Sequence, residues 1–166
     1  MTQVTINVSN DLPLLQDNVE KLTEKLGDLT PLMQAIGSLL EGSTRQRFTD
    51  KKAPNGTSWA NLMPSTQTQK GNNNILVAGD TLRESITNHA DRYSVTVGTP
   101  ESHGVYHQFG TDPYTIRPKN KKALAFGGGV YKQVQHTGLP ARPFLGLSDD
   151  DKSDIYELIN EHLMGD

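Results

Sequence analysis

The order of apolar and polar positions predicts one strand and two helices in the N-terminal part of the chain. Alternate residues are apolar over residues 4–8, which is typical of a short, half-buried strand. Over residues 12–26 and again in a second helix, apolar residues recur at spacings of three and four, as on the buried face of an amphipathic helix. Thr30 and Pro31 are predicted as the N-cap and first position of that second helix, which should end near Phe48. Its predicted buried positions are Leu32, Ala35, Ile36, Leu39 and Leu40.

The middle of the chain is predicted to hold a long polar loop and several short elements. Residues 49–74 are rich in proline, glycine and asparagine, which break regular structure. Trp59, the only tryptophan, is expected to fix this loop to the core through an indole N–H bonded to a carbonyl oxygen. The short elements are a strand at 75–77, a helical turn at 82–86, a strand from Tyr93 to Val97 closed by Gly98, and a helical turn at 105–110 stopped by its glycine.

The last third of the chain predicts a β-hairpin, a stiff extended segment and a final helix. Residues 123–126 and 130–134 flank three glycines, which is typical of a hairpin with a flexible tip. Two prolines surround Arg142 in residues 139–146, so this segment can be neither a helix nor a central strand. Ser148 is predicted to cap a helix whose first turn, Asp149 to Asp151, matches the helix dipole. The predicted apolar stripe of that helix is Ile155, Leu158, Ile159 and Leu163.

These elements together predict an α+β fold in a single domain over residues 1–166. An antiparallel sheet is expected to pack against two N-terminal helices and a C-terminal helix, with residues 49–74 and 111–136 as flexible loop and hairpin arms. Hydrophobic content of 34% and a mean hydropathy of −0.57 indicate a thin core, which suits a protein completed by its neighbours. The first residues lack the pattern of a signal peptide, and nowhere do about 18 apolar residues run together, so we expect a soluble, unexported protein without a membrane partner.

Charge is unevenly distributed along the chain. The net charge of −3 argues against a general nucleic-acid-binding protein. Residues 113–136 nevertheless contain only basic charges, whereas residues 149–166 contain seven acids and one lysine. The basic residues are Arg117, Lys119, Lys121, Lys122 and Lys132. Three interpretations stay open: a solvated face, contact with DNA phosphates, or contact with an acidic patch on a neighbouring subunit, which could repeat head to tail to close a ring.

The extended segment is the other predicted contact. Phe144 and Leu145 supply apolar anchors, and the planar guanidinium of Arg142 offers five donors for a carboxylate on another element or another subunit. We predict that these three residues and the five basic residues mediate contacts between subunits or with partners. Trp59, His107 and Phe109 are expected to support the fold instead.

The sequence offers little support for catalysis. His103 and His107 have the four-residue spacing of some metal ligands, but Gly104 lies between them and cysteine is absent, so a hydrogen-bonded, structural His107 is favoured. No phosphate-binding glycine motif and no serine-nucleophile elbow is present. The acidic run at 149–151 could bind a divalent cation, but the helix dipole explains it more simply. We predict no enzyme, no metal and no cofactor.

An ordered series of motifs resembles the phage virion morphogenesis, or tail completion, family of Mu-like phages and prophages. The resemblance extends from Leu32 to about Leu163. Its motifs are Arg47 and Phe48, the residues 54–59, Ile75 and Leu76, the turn 79–86, the residues 107–110, and the segment 140–146.

The resemblance implies a non-enzymatic structural protein that acts in tail completion or head-tail joining. Proteins of this kind are similar in fold class to small α+β subunits that form rings on the tail tube. The implied partners are copies of the chain itself, tail tube proteins and head-tail connector proteins, at the junction of tail and head in the virion and in the host cytoplasm during assembly. Weak, non-specific DNA contact by the basic hairpin would fit this role. A capsid assembly or DNA packaging factor is the alternative, and a metal-dependent hydrolase using His103 and His107 is the alternative from another class.

Overall fold

One long helix and a small antiparallel sheet organise the protein. The structure, a computed structural model, describes residues 4–5, 27–76, 81–126 and 129–164. Its helices are α1 (Thr30–Asp50), α2 (Pro64–Lys70), α3 (Thr81–Glu84), α4 (Gly104–Phe109) and α5 (Asp149–Met164). Its strands are β1 (Val4–Thr5), β2 (Thr87–Ala90), β3 (Val95–Thr99), β4 (Tyr114–Ile116), β5 (Leu124–Phe126), β6 (Gly129–Tyr131) and β7 (Val134–His136). In the described ranges, no helix has the length and apolarity that crossing a membrane requires.

The central sheet has the order β1-β3-β2, and both pairings are antiparallel. Helix α1 packs against β2 and β3. A glycine permits this close approach, because a Cβ atom on Gly37 would lie 2.5 Å from Asn88 Oδ1 and 2.9 Å from Val95 Cγ2. Side chains larger than hydrogen at position 37 would therefore push the helix away from the sheet.

Two hydrophobic clusters lie along α1. The cluster at its N-terminal half joins Leu29, Leu32, Met33, Ile36 and Leu40 to Ile155 and Ile159 of α5. The cluster at its C-terminal end joins Phe48 to Ala53, Trp59, Ile75, Leu82, Ile86, Phe144 and Leu145. Burial of one large apolar side chain is worth about 1.5–3 kcal/mol, so these two groups provide most of the stabilisation that holds α5 and residues 144–145 against α1.

Residues 114–136 form the basic arm. Strands β4 and β7 pair antiparallel at its base, and β5 and β6 pair nearer its tip. None of the side chains described in this arm is buried. The arm therefore adds none of its described side chains to the two clusters.

The structure confirms the predicted α+β fold and most of its elements. The second helix, the helical turns at 82–86 and 105–110 and the final helix with Ser148 at its start are all present. The predicted hairpin is present as β5 and β6, but its second strand was wrong in extent, because Val134 lies in β7 and pairs with β4. The predicted strand closed by Gly98 exists as β3, although it begins at Val95 rather than Tyr93. The predicted first helix at 12–26, the strand positions Ile6 and Val8, and two of the three glycines at the hairpin tip lie outside the described residues.

Several local predictions were wrong. Residues 49–74 are not one loop, because α2 forms within them after Pro64. Ile75 and Leu76 form a turn instead of a strand, with Leu76 at a φ of +58°. Strand β2 was not predicted, since its sequence Thr-Asn-His-Ala carries no apolar alternation.

One predicted helix N-cap and two predicted buried helix positions were also wrong. Thr30 is not the N-cap of α1; the N-cap is Leu29, and Asp28 Oδ1 accepts the Thr30 N–H at 3.0 Å. Ala35 is exposed, because the buried face of α1 turns toward Met33 and Gly37. Leu163 is 44% exposed because α5 extends past the cluster that holds Ile155 and Ile159.

Candidate functional site

The proline segment, residues 139–146, is held at its start by two backbone pairs. Thr111 and Leu139 exchange N–H···O bonds of 2.9 and 3.2 Å, and Arg142 N–H donates to His107 O at 2.7 Å. Gly110 and Gly138, which lie next to this pair of residues, both have positive φ angles. A Cβ on Gly110 would lie 2.7 Å from Leu139 O, and one on Gly138 would lie 2.2 Å from Thr111 O. The segment therefore runs directly beside the end of α4, as its prolines and glycines permit.

Gln108 of α4 binds the backbone of the same segment with both ends of its amide. Its Oε1 accepts the N–H groups of Phe144 and Leu145, each at 3.0 Å, and its Nε2 donates to Leu145 O at 3.0 Å. This buried side chain satisfies three backbone groups that would otherwise be desolvated without partners. Sequence reasoning assigned Gln108 no role beyond membership of the 107–110 motif.

The aromatic anchors of the segment lie in the interior of the chain. Phe144 is fully buried, with its ring centroid 5.3 Å from that of Phe48. Trp59 meets Phe48 edge to face at 5.5 Å and donates its indole N–H to Pro143 O at 2.8 Å. The predicted indole bond to a carbonyl oxygen is thus confirmed. Phe109, in contrast, is 64% exposed, so the prediction that it supports the fold was wrong: it faces away from the side of α4 that carries Gln108.

Arg47 joins three elements at the end of the segment. Its Nη1 donates to Phe144 O at 2.9 Å and to Gly146 O at 2.8 Å, and its Nη2 pairs with the Asp151 carboxylate. Burial lowers the pKa of the Arg47 guanidinium, and the Asp151 charge opposes that shift. Asp151 also accepts the Ser148 N–H at 2.7 Å, while Ser148 Oγ accepts the Asp151 N–H at 3.0 Å, which forms a reciprocal N-terminal cap on α5.

Arg142 is a second buried arginine, only 4% exposed. Its Nε donates to Ala60 O at 2.8 Å and its Nη2 donates to Asn61 O at 3.1 Å, so it ties the proline segment to the stretch before α2. Burial lowers the pKa of its guanidinium, with no acid opposing the shift. Contact of Arg142, Phe144 and Leu145 with another subunit stays a prediction.

A cleft of about 260 Å³ opens beside Arg142, between α2, α4 and the start of the proline segment. Three histidines line it: His103, His107 and His136. The rings of His103 and His107 lie 6.0 Å apart, and His103 Nδ1 lies 3.2 Å from Glu101 Oε2. Burial, followed by the charges of His103, Arg142 and Lys70, lowers the pKa of His107. Its Nδ1 is buried without a hydrogen-bond partner, so the prediction of a hydrogen-bonded His107 is wrong at that atom.

The metal alternative gains no support from this cleft. In the part of the chain that the structure describes, no three His, Cys, Asp or Glu side chains lie close enough together to hold a metal ion.

The predicted basic residues all lie on the surface of the basic arm. Arg117, Lys119, Lys121, Lys122 and Lys132 are exposed. Helix α5 presents the opposite charge, because four of its exposed acids recur at spacings of four, three and four and so share one face. These acids are Asp150, Asp154, Glu157 and Glu161, which we term the acidic stripe. The structure thus brings together the predicted contact residues of the proline segment in the interior, while the five basic residues and the acidic stripe are exposed.

The sequence model of the phage virion morphogenesis family matches residues 11–164. The chain belongs to this family. The match includes α1, the cleft, the proline segment, the basic arm and α5, so the resemblance drawn from the ordered motifs is confirmed.

Two curated relatives come from Haemophilus influenzae. Mu-like prophage FluMu G protein 2 is 26% identical over 162 residues, which is 98% of this chain and 96% of the relative. Mu-like prophage FluMu G protein 1 is 24% identical over 160 residues, which is 92% of this chain and 91% of the relative. No solved structure matches the chain. Membership of the family gives the chain a role in virion morphogenesis, as a structural or assembly protein associated with the phage particle.

Proposed function

We propose that this member of the phage virion morphogenesis family is a non-enzymatic subunit that completes the tail or joins it to the head, and that it acts as a ring. Its partners would be other copies of itself, tail tube proteins and connector proteins at the tail-head junction. The observation that carries the proposal is the basic arm, which contains five cations and no acid and in which none of the described side chains is buried.

A second copy of the chain offers a surface that fits this arm. The acidic stripe of α5 places four exposed carboxylates on one helix face, and this face lies away from the buried positions Ile155 and Ile159. A contact between two different surfaces of the same chain is heterologous, and it closes into a ring when its rotation divides a circle. Single exposed ion pairs contribute only about 0–1 kcal/mol each, so assembly of this kind depends on several pairs at once.

Charge reversal tests the ring contact. One variant carries Lys119→Glu, Lys121→Glu and Lys122→Glu, and a second carries Asp154→Lys, Glu157→Lys and Glu161→Lys. We expect each variant alone to remain monomeric in sedimentation experiments and the two mixed together to associate. The control reverses two exposed lysines outside the basic arm, Lys51 and Lys52, and should assemble like the wild type. Unchanged assembly of both arm and stripe variants would overturn the ring contact.

Tail morphology tests the step of assembly. Electron microscopy of particles made without this protein should show tails that are overlong or that lack heads, and a plasmid copy of the gene should restore normal particles. Normal, infectious particles made in its absence would contradict the proposed function.

A capsid assembly or DNA packaging factor is the second candidate, and the same five exposed cations favour it. Phosphate contacts release counterions, so DNA binding by the basic arm would fall steeply with salt. Filter binding of double-stranded DNA between low and physiological salt separates the candidates. Tight binding with a steep salt slope, lost in the variant with the three arm substitutions, would favour the DNA-contacting factor.

A further inference from the structure

The two buried arginines beside the proline segment differ in one respect. The positive charge of Arg47 is balanced by the carboxylate of Asp151, whereas Arg142 forms no ion pair with any carboxylate in the described residues. Among the described residues, two carbonyl oxygens accept from the Arg142 guanidinium, which has five N–H donors. A buried charge without a counter-charge is costly, and such groups are usually paired.

The cleft beside Arg142 is cationic and apolar. Lys70 lines it together with Arg142, and among the described residues no acidic side chain does. Leu62, Leu76 and Leu82 form apolar walls. The cleft volume of about 260 Å³ suits one or two side chains rather than a large molecule.

We propose that this cleft binds an acidic side chain carried on an apolar peptide segment of another protein, with the carboxylate facing Arg142. A carboxylate would supply the counter-charge that Arg142 lacks, and leucine-like neighbours would cover the apolar walls. Nucleic acid fits less well, because its phosphates would leave those walls in water. The cleft is lined by none of the five basic residues of the arm and by none of the acids of the stripe, so the substitutions that test one contact leave the residues of the other unchanged.

Capped tripeptides test the proposal on the full-length protein. The probes are acetyl-Leu-Glu-Leu-amide and its neutral match, acetyl-Leu-Gln-Leu-amide, with binding followed by NMR shifts of the amides that line the cleft. We expect the Glu peptide to bind about tenfold more tightly, a difference of about 1.4 kcal/mol, because only its carboxylate supplies a counter-charge to Arg142. Equal affinity for the two peptides would overturn the proposal. So would full competition by sodium acetate or a single-stranded oligonucleotide at the peptide's own concentration.

Two pairs of variants locate the contact. Arg142→Met should abolish the preference for the Glu peptide, and Arg142→Lys should keep part of it. Since Arg142 also ties two segments together, Thr66 provides a test that leaves these bonds intact. Thr66 lies half-buried on the cleft wall in α2, so Thr66→Glu introduces a competing carboxylate and Thr66→Gln is its control. We expect Thr66→Glu to weaken Glu-peptide binding about tenfold relative to Thr66→Gln, and equal binding by these two variants would contradict a carboxylate site.

Discussion

Arg47 of α1 and Asp151 of α5 form an ion pair in the interior of the protein, with 7% and 3% of their side chains exposed. The two residues are 104 positions apart in the sequence. The pair fixes the start of α5 against the end of α1, while the same arginine binds the carbonyls of Phe144 and Gly146. One side chain therefore links both helices and the proline segment.

Removal of the Asp151 charge should be strongly destabilising. Asp151→Asn keeps an acceptor for the Ser148 N–H but leaves the Arg47 charge buried and unpaired, so the free energy of unfolding should fall by about 3–5 kcal/mol. Urea denaturation measures this change. Asp150→Asn, one position earlier and exposed, should change it by less than about 0.5 kcal/mol. Similar losses in both variants would show that the ion pair does not hold the structure.

The amide of Gln108 gives a prediction about the proline segment. Gln108→Leu leaves two buried N–H groups and one buried carbonyl without a hydrogen-bond partner. We therefore expect the free energy of unfolding to fall by roughly 3 kcal/mol or more. Hydrogen exchange at the amides of Phe144 and Leu145 should accelerate together. In Gln108→Glu the acceptor oxygen is retained, and the acceleration should be smaller. The control is Gln46→Leu, on the exposed face of α1. If the amides of Phe144 and Leu145 stay protected from exchange in Gln108→Leu, Gln108 does not hold the proline segment.

Alanine substitutions at two glycines with similar φ angles separate the effect of backbone strain from that of steric crowding. Gly138 has a φ of +85° and Gly56 a φ of +79°, but only at Gly138 would a Cβ meet another atom, Thr111 O at 2.2 Å. Both alanine variants bear the left-handed strain of about 1–2 kcal/mol. Gly138→Ala should lose about 1–3 kcal/mol more in thermal unfolding, because the crossing of Thr111 and Leu139 must open. Equal losses of stability in the two alanine variants would mean that residues 111 and 138 can move apart at no cost.

His107 makes stability depend on pH. Its pKa is lowered in the folded protein, mainly by burial, so the unfolded chain binds a proton more readily. The contribution of neutral His107 is fully present above the ordinary histidine pKa of about 6.5, and it is lost as pH falls from there through the lower folded pKa. His107→Gln should therefore flatten the decline of the unfolding midpoint between about pH 7 and pH 5. His89→Gln, at an exposed position of β2, should leave the decline unchanged, and an equally steep decline in His107→Gln would contradict the prediction.

Local patterns in the sequence predicted most of the elements but not the contacts between them. Ser148 and the acids after it predicted the start of α5, and the Trp59 bond to a carbonyl followed from the chemistry of a buried indole. Asp151, however, was read only as a charge near the helix dipole. Its pairing with Arg47 depends on tertiary packing, which no local spacing encodes.

The same limit applies to the site. Arg142 was predicted to seek a carboxylate, and its burial against the backbone of Ala60 and Asn61 could not be foreseen, because any carbonyl in the chain can accept from a guanidinium. The charge of the basic arm and the acidity of α5 could be read directly, since exposed charges need no partner within the fold. Phe109 shows the converse error, where an apolar residue was assumed to be inside.

Besides the packing of Phe144 and Leu145, three side chains hold the proline segment by hydrogen bonds to its main chain. Arg47, Gln108 and Trp59 all bind its backbone N–H and carbonyl groups, at positions 143–146. Every residue type has a main-chain carbonyl, and every type except proline has an N–H, so these contacts depend on the position of a residue more than on its side chain. Inserting or deleting one residue here would move all of these partners out of register at once, whereas exchanging a side chain would disturb only its own packing.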